Sequence, residues 1–435
     1  MTVLETIYTA GFSAYLHGFG AIDSWLGNEA ETSVHILTNA GTADLARLFE
    51  DLRYPGPDLA DAALDRHGDK NETWYFRCAD SFDENRPSFN LLEFYRDCKS
   101  RVFYDPSGIY PLLAGIRDSI RKPEKINPDI VNPLEFFRQS INSSFDRTRS
   151  SMDAALILAK YFSPDSGTDK YIDEISKLFI KLRESSPVKQ EEQRILLCSL
   201  LTSANPGLGF ELLKKSGFIS EYWPELAILD KADHSKEFHP EGNAWEHTME
   251  TFRHRKTAFY NKASFHRKAS FHKKAAVNKK AHNRKTCACD IRLSLGLLLH
   301  DAGKPIAVST GSRRFDGHAE LGELQARRFL ERLGFDASII HDVCFLVRNH
   351  MLPAALPRLP LYRTEEIMAS PLFPVLLELY RCDEASSFKG LDGYYESSAA
   401  YQSFLKNRRN PYRSDDGKKL NKMQKNKTAK FYSQR

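Results

Sequence analysis

Six residues in the C-terminal half have the chemistry of metal ligands: His247, the adjacent pair His300 and Asp301, His318, His350 and Asp383. Each stands at the edge of a stretch that reads as an amphipathic helix. His247 follows a Pro-Gly entry in HPEGNAWEHTMETF, and His300 and Asp301 end the apolar run LSLGLLLHDAGKP. His318 opens RRFDGHAELGELQARRFLERLGF, His350 closes HDVCFLVRNHML, and Asp383 lies in LLELYRCDEASSF. A single histidine at such an edge is more often structural, but together these groups can fill a mixed nitrogen and oxygen shell. That shell suits Ni, Mn, Co, Fe or Zn, or, with more oxygen, Mg. A divalent cation there brings the pKa of its water toward neutrality and clamps a phosphoryl oxygen, which is the chemistry of phosphoester hydrolysis. Lys304, three residues past Asp301, is placed to neutralise phosphate charge. The pair His341 and Asp342 reads as a helix-surface coincidence.

Positioning these groups takes a large, mainly helical chain. With 435 residues it is too long for one compact domain. Hydrophobic content of 41% and charged content of 27% exclude bulk disorder and collagen-like structure. No apolar run approaches the roughly 18 residues of a membrane helix, and MTVLETIYTAGF lacks the basic start of a secretory signal. Seven cysteines without a CxxC read as reduced thiols in a cytoplasmic protein, with no disulfides expected. GFSAYLHGFGAIDSWLG reads as strand, Gly-containing turn and helix; TSVHILTNA, WYFRCAD and SRVFYDPSG read as strands, and TADLARLFEDL as a helix. From about residue 132 the pattern turns helical, through NPLEFFRQSI, SMDAALILAKYF, YIDEISKLFIKL and EEQRILLCSLL, and it is helical again from Leu293 to about Leu405.

The charge is partitioned. Residues 251–289 hold 12 Lys/Arg and no Asp/Glu, and residues 406–435 hold 11 Lys/Arg against two Asp. Subtracting both from the net charge of +5 leaves −16 on the rest, so two basic appendages hang on an acidic body. The first contains KASFHR followed at once by KASFHK, the pattern of a duplication inside a loop. Its Lys, Arg and His content suits RNA or polyphosphate. His254, His266, His272 and His282 lie within it and are not assigned to catalysis. The tail after Lys406 reads as disordered.

Taken in order, HPEG–WEHT, LLLHDAGKP, GHAELG, FLVRNHM and the Asp383 helix resemble the HD-superfamily module fused to bacterial tRNA nucleotidyltransferases (CCA-adding enzymes) and poly(A) polymerases. The resemblance implies that His247, His300, Asp301 and Asp383 hold one metal. His318 and His350 would complete a second or contact the scissile phosphate, and Asp301 would bridge or orient the water. The gap of 53 positions between His247 and His300 is long for such modules, because the basic repeat stands inside it. Upstream, LTSANPGLGFELLKKSGFISEYWPELAIL is similar to the helical neck and body of class II tRNA nucleotidyltransferases. The expected organisation is an α+β nucleotidyltransferase-like head over 1–130 and an all-α neck and body over 131–235. An all-α HD domain over 236–405, with its basic insert at 253–286, and a basic tail over 406–435 follow.

In the head the resemblance implies a degenerate site. Where the family has Gly-Gly and then Arg-Asp, this chain has Gly18-Phe19 and Ile22-Asp23. Where the family has Asp-x-Asp, the two carboxylates that hold metals for nucleotidyl transfer, it has Ser33 and His35. Glu29 and Glu31 would restore a carboxylate only with a slipped register. Ser100 replaces the family's Asn. Asp153 is kept from the base-reading segment, but its Arg positions have become Leu156 and Ala159. Residues 1–52 carry seven Asp/Glu against one Arg, which disfavours an anionic substrate. The leading expectation is therefore an HD metal-dependent phosphohydrolase, a phosphodiesterase or phosphatase acting on nucleotides or RNA and tRNA 3′ ends. The alternatives are an RNA nucleotidyltransferase in 3′-end processing and a non-catalytic RNA-binding protein.

Overall fold

The structure, a computed structural model, describes residues 2–27, 33–55, 60–66, 72–79, 91–121, 132–141, 145–162, 168–180, 182, 187–232, 242–255, 290–309, 315–387 and 390–408. The basic insert beyond Arg255, nearly all of the basic tail, Glu29, Glu31, His266, His272, His282, Cys287 and Cys289 lie outside them. The described residues form two compact units, one up to Phe218 and one from Ile219 onward.

The first unit begins with a seven-stranded sheet. Its strands are β1 (Ala14–His17), β2 (Ser33–Thr38), β3 (Leu52–Arg53), β4 (Ala62–Arg66), β5 (Glu72–Cys78), β6 (Tyr95–Asp97) and β7 (Phe103–Tyr104). They run in the order β3-β4-β5-β2-β1-β6-β7. Only β2 and β5 pair in parallel; the other neighbours are antiparallel. One face is apolar. Ala14, Val34, Ile36, Leu64 and Phe76 alternate inward and pack with Val3, Ile7, Leu45 and Phe49. Gly18, at φ +61, turns the chain from β1 into the helix Phe19–Leu26, so the expected strand, turn and helix are all present. The strands β3, β4 and β6 have no counterpart in the expectation, being too short or too rich in Ala and charge to alternate visibly.

The helices Pro133–Ser140, Arg147–Tyr161, Asp169–Ile180, Gln190–Thr202 and Pro206–Lys215 complete this unit where helices were expected. Gly209 lets two of them approach closely: a Cβ there would come 2.8 Å from the Ala155 carbonyl oxygen and 3.2 Å from the Ala159 Cβ.

The unit boundary departs from the expected domain limit near 235. The short helices Phe218–Tyr222 and Pro224–Ala227 lie mainly or wholly in the second unit. There Trp223, fully buried, meets Phe329 edge-on at 6.4 Å, and Arg332 pairs with Glu225 at 2.7 Å. The rest of the second unit is helical: Ala244–Arg253, Ile291–Leu299, Lys304–Ser309, His318–Arg332, Ala337–Asn349, Leu361–Ala369, Phe373–Ser386 and Asp392–Arg408, with short turns between. The last helix runs through Lys406, past the expected start of the disordered tail. Cys78, Cys98, Cys198, Cys344 and Cys382 are free thiols. Among the described residues, no helix is long and apolar enough to cross a membrane.

Candidate metal centre

The second unit brings all six candidate ligands together. His247 lies on the helix Ala244–Arg253, His300 caps Ile291–Leu299, His318 opens His318–Arg332, His350 caps Ala337–Asn349 and Asp383 lies on Phe373–Ser386. Their ligand atoms form two groups, His247 with His300 and Asp383, and Asp301 with His318 and His350. Asp301 joins the two. Its Oδ2 faces His300 Nε2 at 3.4 Å and His247 Nε2 at 3.9 Å, and its Oδ1 faces the Nε2 atoms of His318 and His350, each at 3.9 Å. Lys304 Nζ lies 2.7 Å from Asp301 Oδ2, so in this structure its charge is held by the carboxylate. The side chains of His247, His300, Asp301 and His350 are no more than 2% exposed, whereas Asp383 is 23%, Lys304 12% and His318 11% exposed. Those last three therefore mark the side from which a ligand can enter.

The histidines are locked in one tautomer. Nδ1–H of His300, His318 and His350 donates to the carbonyls of Leu297, Phe315 and Val347, each three residues earlier, at 2.9, 2.8 and 2.7 Å. His247 differs. Its Nδ1 is held by the Ser386 hydroxyl at 3.3 Å, which itself donates to the Asp383 carbonyl at 2.7 Å. The Nε2 lone pairs of His300, His318 and His350 consequently face Asp301, as outer-shell partners arrange them in metal sites, whereas His247 Nε2 lies 2.9 Å from Asp383 Oδ1, a hydrogen bond that places a proton on that nitrogen until a cation takes its place. His318 and His350 place Nε2 against Nε2 at 3.0 Å, two acceptors that need a proton or a cation between them. The buried His300 Nε2 makes no hydrogen bond. Burial alone would raise the Asp301 carboxyl, but His300, Lys304, His247 and His350 hold it well below the usual carboxylate range. Burial likewise opposes the charge on Asp383, and the His247 hydrogen bond overcomes it. Burial lowers His318 and brings His350 down to about 4. Imidazoles lowered at His318 and His350, beside two carboxylates held below their usual range, approach the protonation states metal ligands require, so the donor set fits a divalent cation.

Close backbone packing sets this geometry. A Cβ on Gly303 would lie 2.0 Å from the His318 carbonyl oxygen and 2.4 Å from the Gly322 nitrogen, so the turn after Asp301 fits only as glycine. A Cβ on Gly296 would meet Leu379 at 2.9 Å and Leu346 at 3.2 Å, which seats the His300 helix against the Asp383 and His350 helices. The long gap after His247 is pinned at both ends. The Arg381 guanidinium donates to the His254 carbonyl at 2.5 Å, and Arg255 donates to the Ser294 hydroxyl at 2.8 Å. On the returning side, Ser294 itself donates to the Asp290 carbonyl at 3.4 Å. The flank that follows His247 is thus tied to the helices that carry Asp383 and His300. Ser386 and Phe315 were missed by the sequence reading. Ser386 was findable one helical turn after Asp383, and Phe315 just before the Asp-Gly turn into His318. His341 is 80% exposed and Asp342 pairs with Arg292 at 3.2 Å, as a surface coincidence would have it.

The head positions have other partners. Asp23 is buried, its carboxylate accepting from the Tyr161 hydroxyl at 3.0 Å and from Lys160 at 3.4 Å, while Lys160 stands 4.6 Å over the Phe19 ring. Gly18 donates its backbone N–H to Phe94. Ser33 lies at the start of β2, and His35 stacks on Tyr75 at 4.9 Å. His17 stacks on Tyr95 at 4.8 Å. Leu16 pairs with Ile36, so in the same register His17 comes opposite His35. Tyr75, His35, His17 and Tyr95 therefore form one row across four strands, on the face opposite the apolar core. Burial, with Arg77 nearby, lowers His35 to about 4. Leu156 and Ala159 are buried core residues, and burial beside Asp146 raises Asp153 to about 8. Ser100 sits in the turn before β7, its N–H donating to Asp97 at 3.2 Å.

No protein-family profile matches the chain. Over 177 residues it is 28% identical to a CC-adding tRNA nucleotidyltransferase of Thermus thermophilus, covering 40% of this chain and 34% of that protein. The match thus spans about a third of the relative's length. Among solved structures, a Bacillus stearothermophilus CCA-adding enzyme in complex with CTP shares 15% identity and a TM-score of 0.45, over 99% of this chain and 90% of its own. A tRNA-processing enzyme in an apo form shares 14% identity and a TM-score of 0.42, over 99% of both chains. The Thermus thermophilus relative is named as a transferase. By sequence, then, the chain is similar to a CC-adding tRNA nucleotidyltransferase over two-fifths of its length.

Proposed function

We propose that this tRNA nucleotidyltransferase-like protein acts on RNA 3′ ends or nucleotides, and that its second unit is a metal-dependent phosphohydrolase. The reading is supported above all by four buried imidazoles whose Nε2 atoms converge on Asp301, with Asp383 beside them. His247, His300 and Asp383 would hold one divalent cation and His318 and His350 a second, with Asp301 shared. Cations so held would lower the pKa of a coordinated water and neutralise a phosphoryl oxygen. Asp301 would orient that water, and Lys304, displaced from the carboxylate, would meet the phosphate's charge. Asp383, His318 and Lys304 line the approach.

The second reading is nucleotidyl transfer by the head, and the sequence similarity favours it. The side chains there weigh against it. Asp23 is bonded to Lys160 and Tyr161, and position 35 holds an imidazole stacked on Tyr75. One plate separates the readings. Metal-stripped protein is reloaded with Ni²⁺, Mn²⁺, Co²⁺ or Mg²⁺ and given bis-p-nitrophenyl phosphate or 2′,3′-cyclic AMP, with Asp301→Ala alongside. Labelled ATP or CTP with tRNA tests transfer. Hydrolysis lost in Asp301→Ala, without incorporation, supports the hydrolase. Incorporation without hydrolysis moves the function to RNA 3′-end synthesis.

A further inference from the structure

Phe315 has a backbone that its side chain should avoid. Its φ is +56, in the left-handed region where glycine is at ease and a bulky residue is an outlier. The service its backbone performs needs no side chain. The carbonyl accepts from the His318 N–H at 3.0 Å and from His318 Nδ1 at 2.8 Å, and a glycine would offer the same oxygen without strain. Nor is the ring a core element, being only half-buried. It stands instead at the open side of the metal centre, with Lys304 Nζ 5.4 Å from its centroid and His318 three residues on. Strain of this kind persists at ligand clamps, where the strained group has a use.

We infer that Phe315 is a base-stacking residue. Its ring takes the nucleobase of a ligand whose phosphate is met by Lys304 and by the cations Asp301 would hold, so the site selects nucleotides and RNA ends over small phosphoesters. An aromatic ring beside an ammonium offers the two contacts a nucleotide presents, a π-face and a charge, and stacking tolerates any base. This assignment rests on the phosphoester reading of the same centre, but its test does not require turnover.

The test is calorimetric binding of AMP and of inorganic phosphate to full-length, metal-loaded protein. Wild type, Phe315→Gly and Phe315→Trp are compared, with metal content and melting temperature measured for each. The ratio of AMP to phosphate affinity should fall roughly ten-fold or more in Phe315→Gly and be kept in Phe315→Trp. Phe315→Gly should melt no lower than wild type, since it relieves the strained backbone. An unchanged ratio in Phe315→Gly overturns the inference. So does equal weakening of both ligands, which would mean the ring acts only through Lys304, and so does wild type that binds no AMP. If AMP binds as expected yet no phosphoester is cleaved, the hydrolytic reading fails and the base-stacking assignment stands.

Discussion

In the second unit, four imidazoles stand with Nδ1 tied to an oxygen and Nε2 turned toward shared carboxylates. In the head, two imidazoles lie flat against tyrosine rings, at interplanar angles of 17° and 18°. The residue type is the same and the use is opposite. Where a histidine's Nδ1 is fixed by a carbonyl one helical turn back, its other nitrogen becomes a directed ligand. Where the ring is stacked across a strand pair, it serves as a flat packing unit. The head's row of Tyr75, His35, His17 and Tyr95 occupies the sheet face at the level where the family resemblance places carboxylates. There the rings pack in pairs, His35 on Tyr75 and His17 on Tyr95.

Four variants would break or sharpen this contrast. His350→Phe keeps a ring and removes a ligand atom, so hydrolysis should drop to background with loss of bound cation by elemental analysis; retained metal would refute its role. Ser386→Ala frees His247 Nδ1, and metal affinity should fall about 10- to 100-fold, with Ser386→Thr restoring it. An unaltered affinity would leave Ser386 merely structural. Restoring both carboxylates, Ser33→Asp with His35→Asp, should destabilise the head by about 1–3 kcal/mol in urea unfolding and yield no transfer. CTP incorporation by this variant would show that the head lacked only its carboxylates.

The smallest effect belongs to His35→Phe, expected to cost less than about 1.5 kcal/mol because one ring replaces another. It also carries a pH signature. His35 is lowered to about 4 in the folded state, so the unfolded chain binds the proton first. Stability should fall as pH drops from about 6.5 toward 4, and His35→Phe should flatten that slope. An unchanged slope would show that His35 does not supply it.

The six candidate ligands were legible because each sits where an apolar helical period begins, ends or turns its polar edge, and such edges show in sequence. Their convergence was suggested by order and resemblance. The tautomer lock was not legible, since it depends on helix-terminal carbonyls that any residue carries. Phe315 escaped because φ has no letter. At Leu156 and Ala159, where the resemblance expects arginine, the absence of charge was visible in the sequence. That the same positions became core beside Gly209 was not. The head row comes from four separate segments, so no local pattern could announce it, and the parallel pairing of β2 with β5 is a long-range choice of the same kind.

The two ends of the basic insert meet at one hydroxyl, that of Ser294, with Arg255 on the leaving side and Asp290 on the returning side. Closing a loop across a fixed gap depends only weakly on its length, about 0.6 kcal/mol for each doubling. The junction is therefore a natural port for cargo. Chain termini moved there by circular permutation, or a fluorescent reporter grafted between Arg255 and Asp290, should leave the metal content of the protein unchanged by elemental analysis.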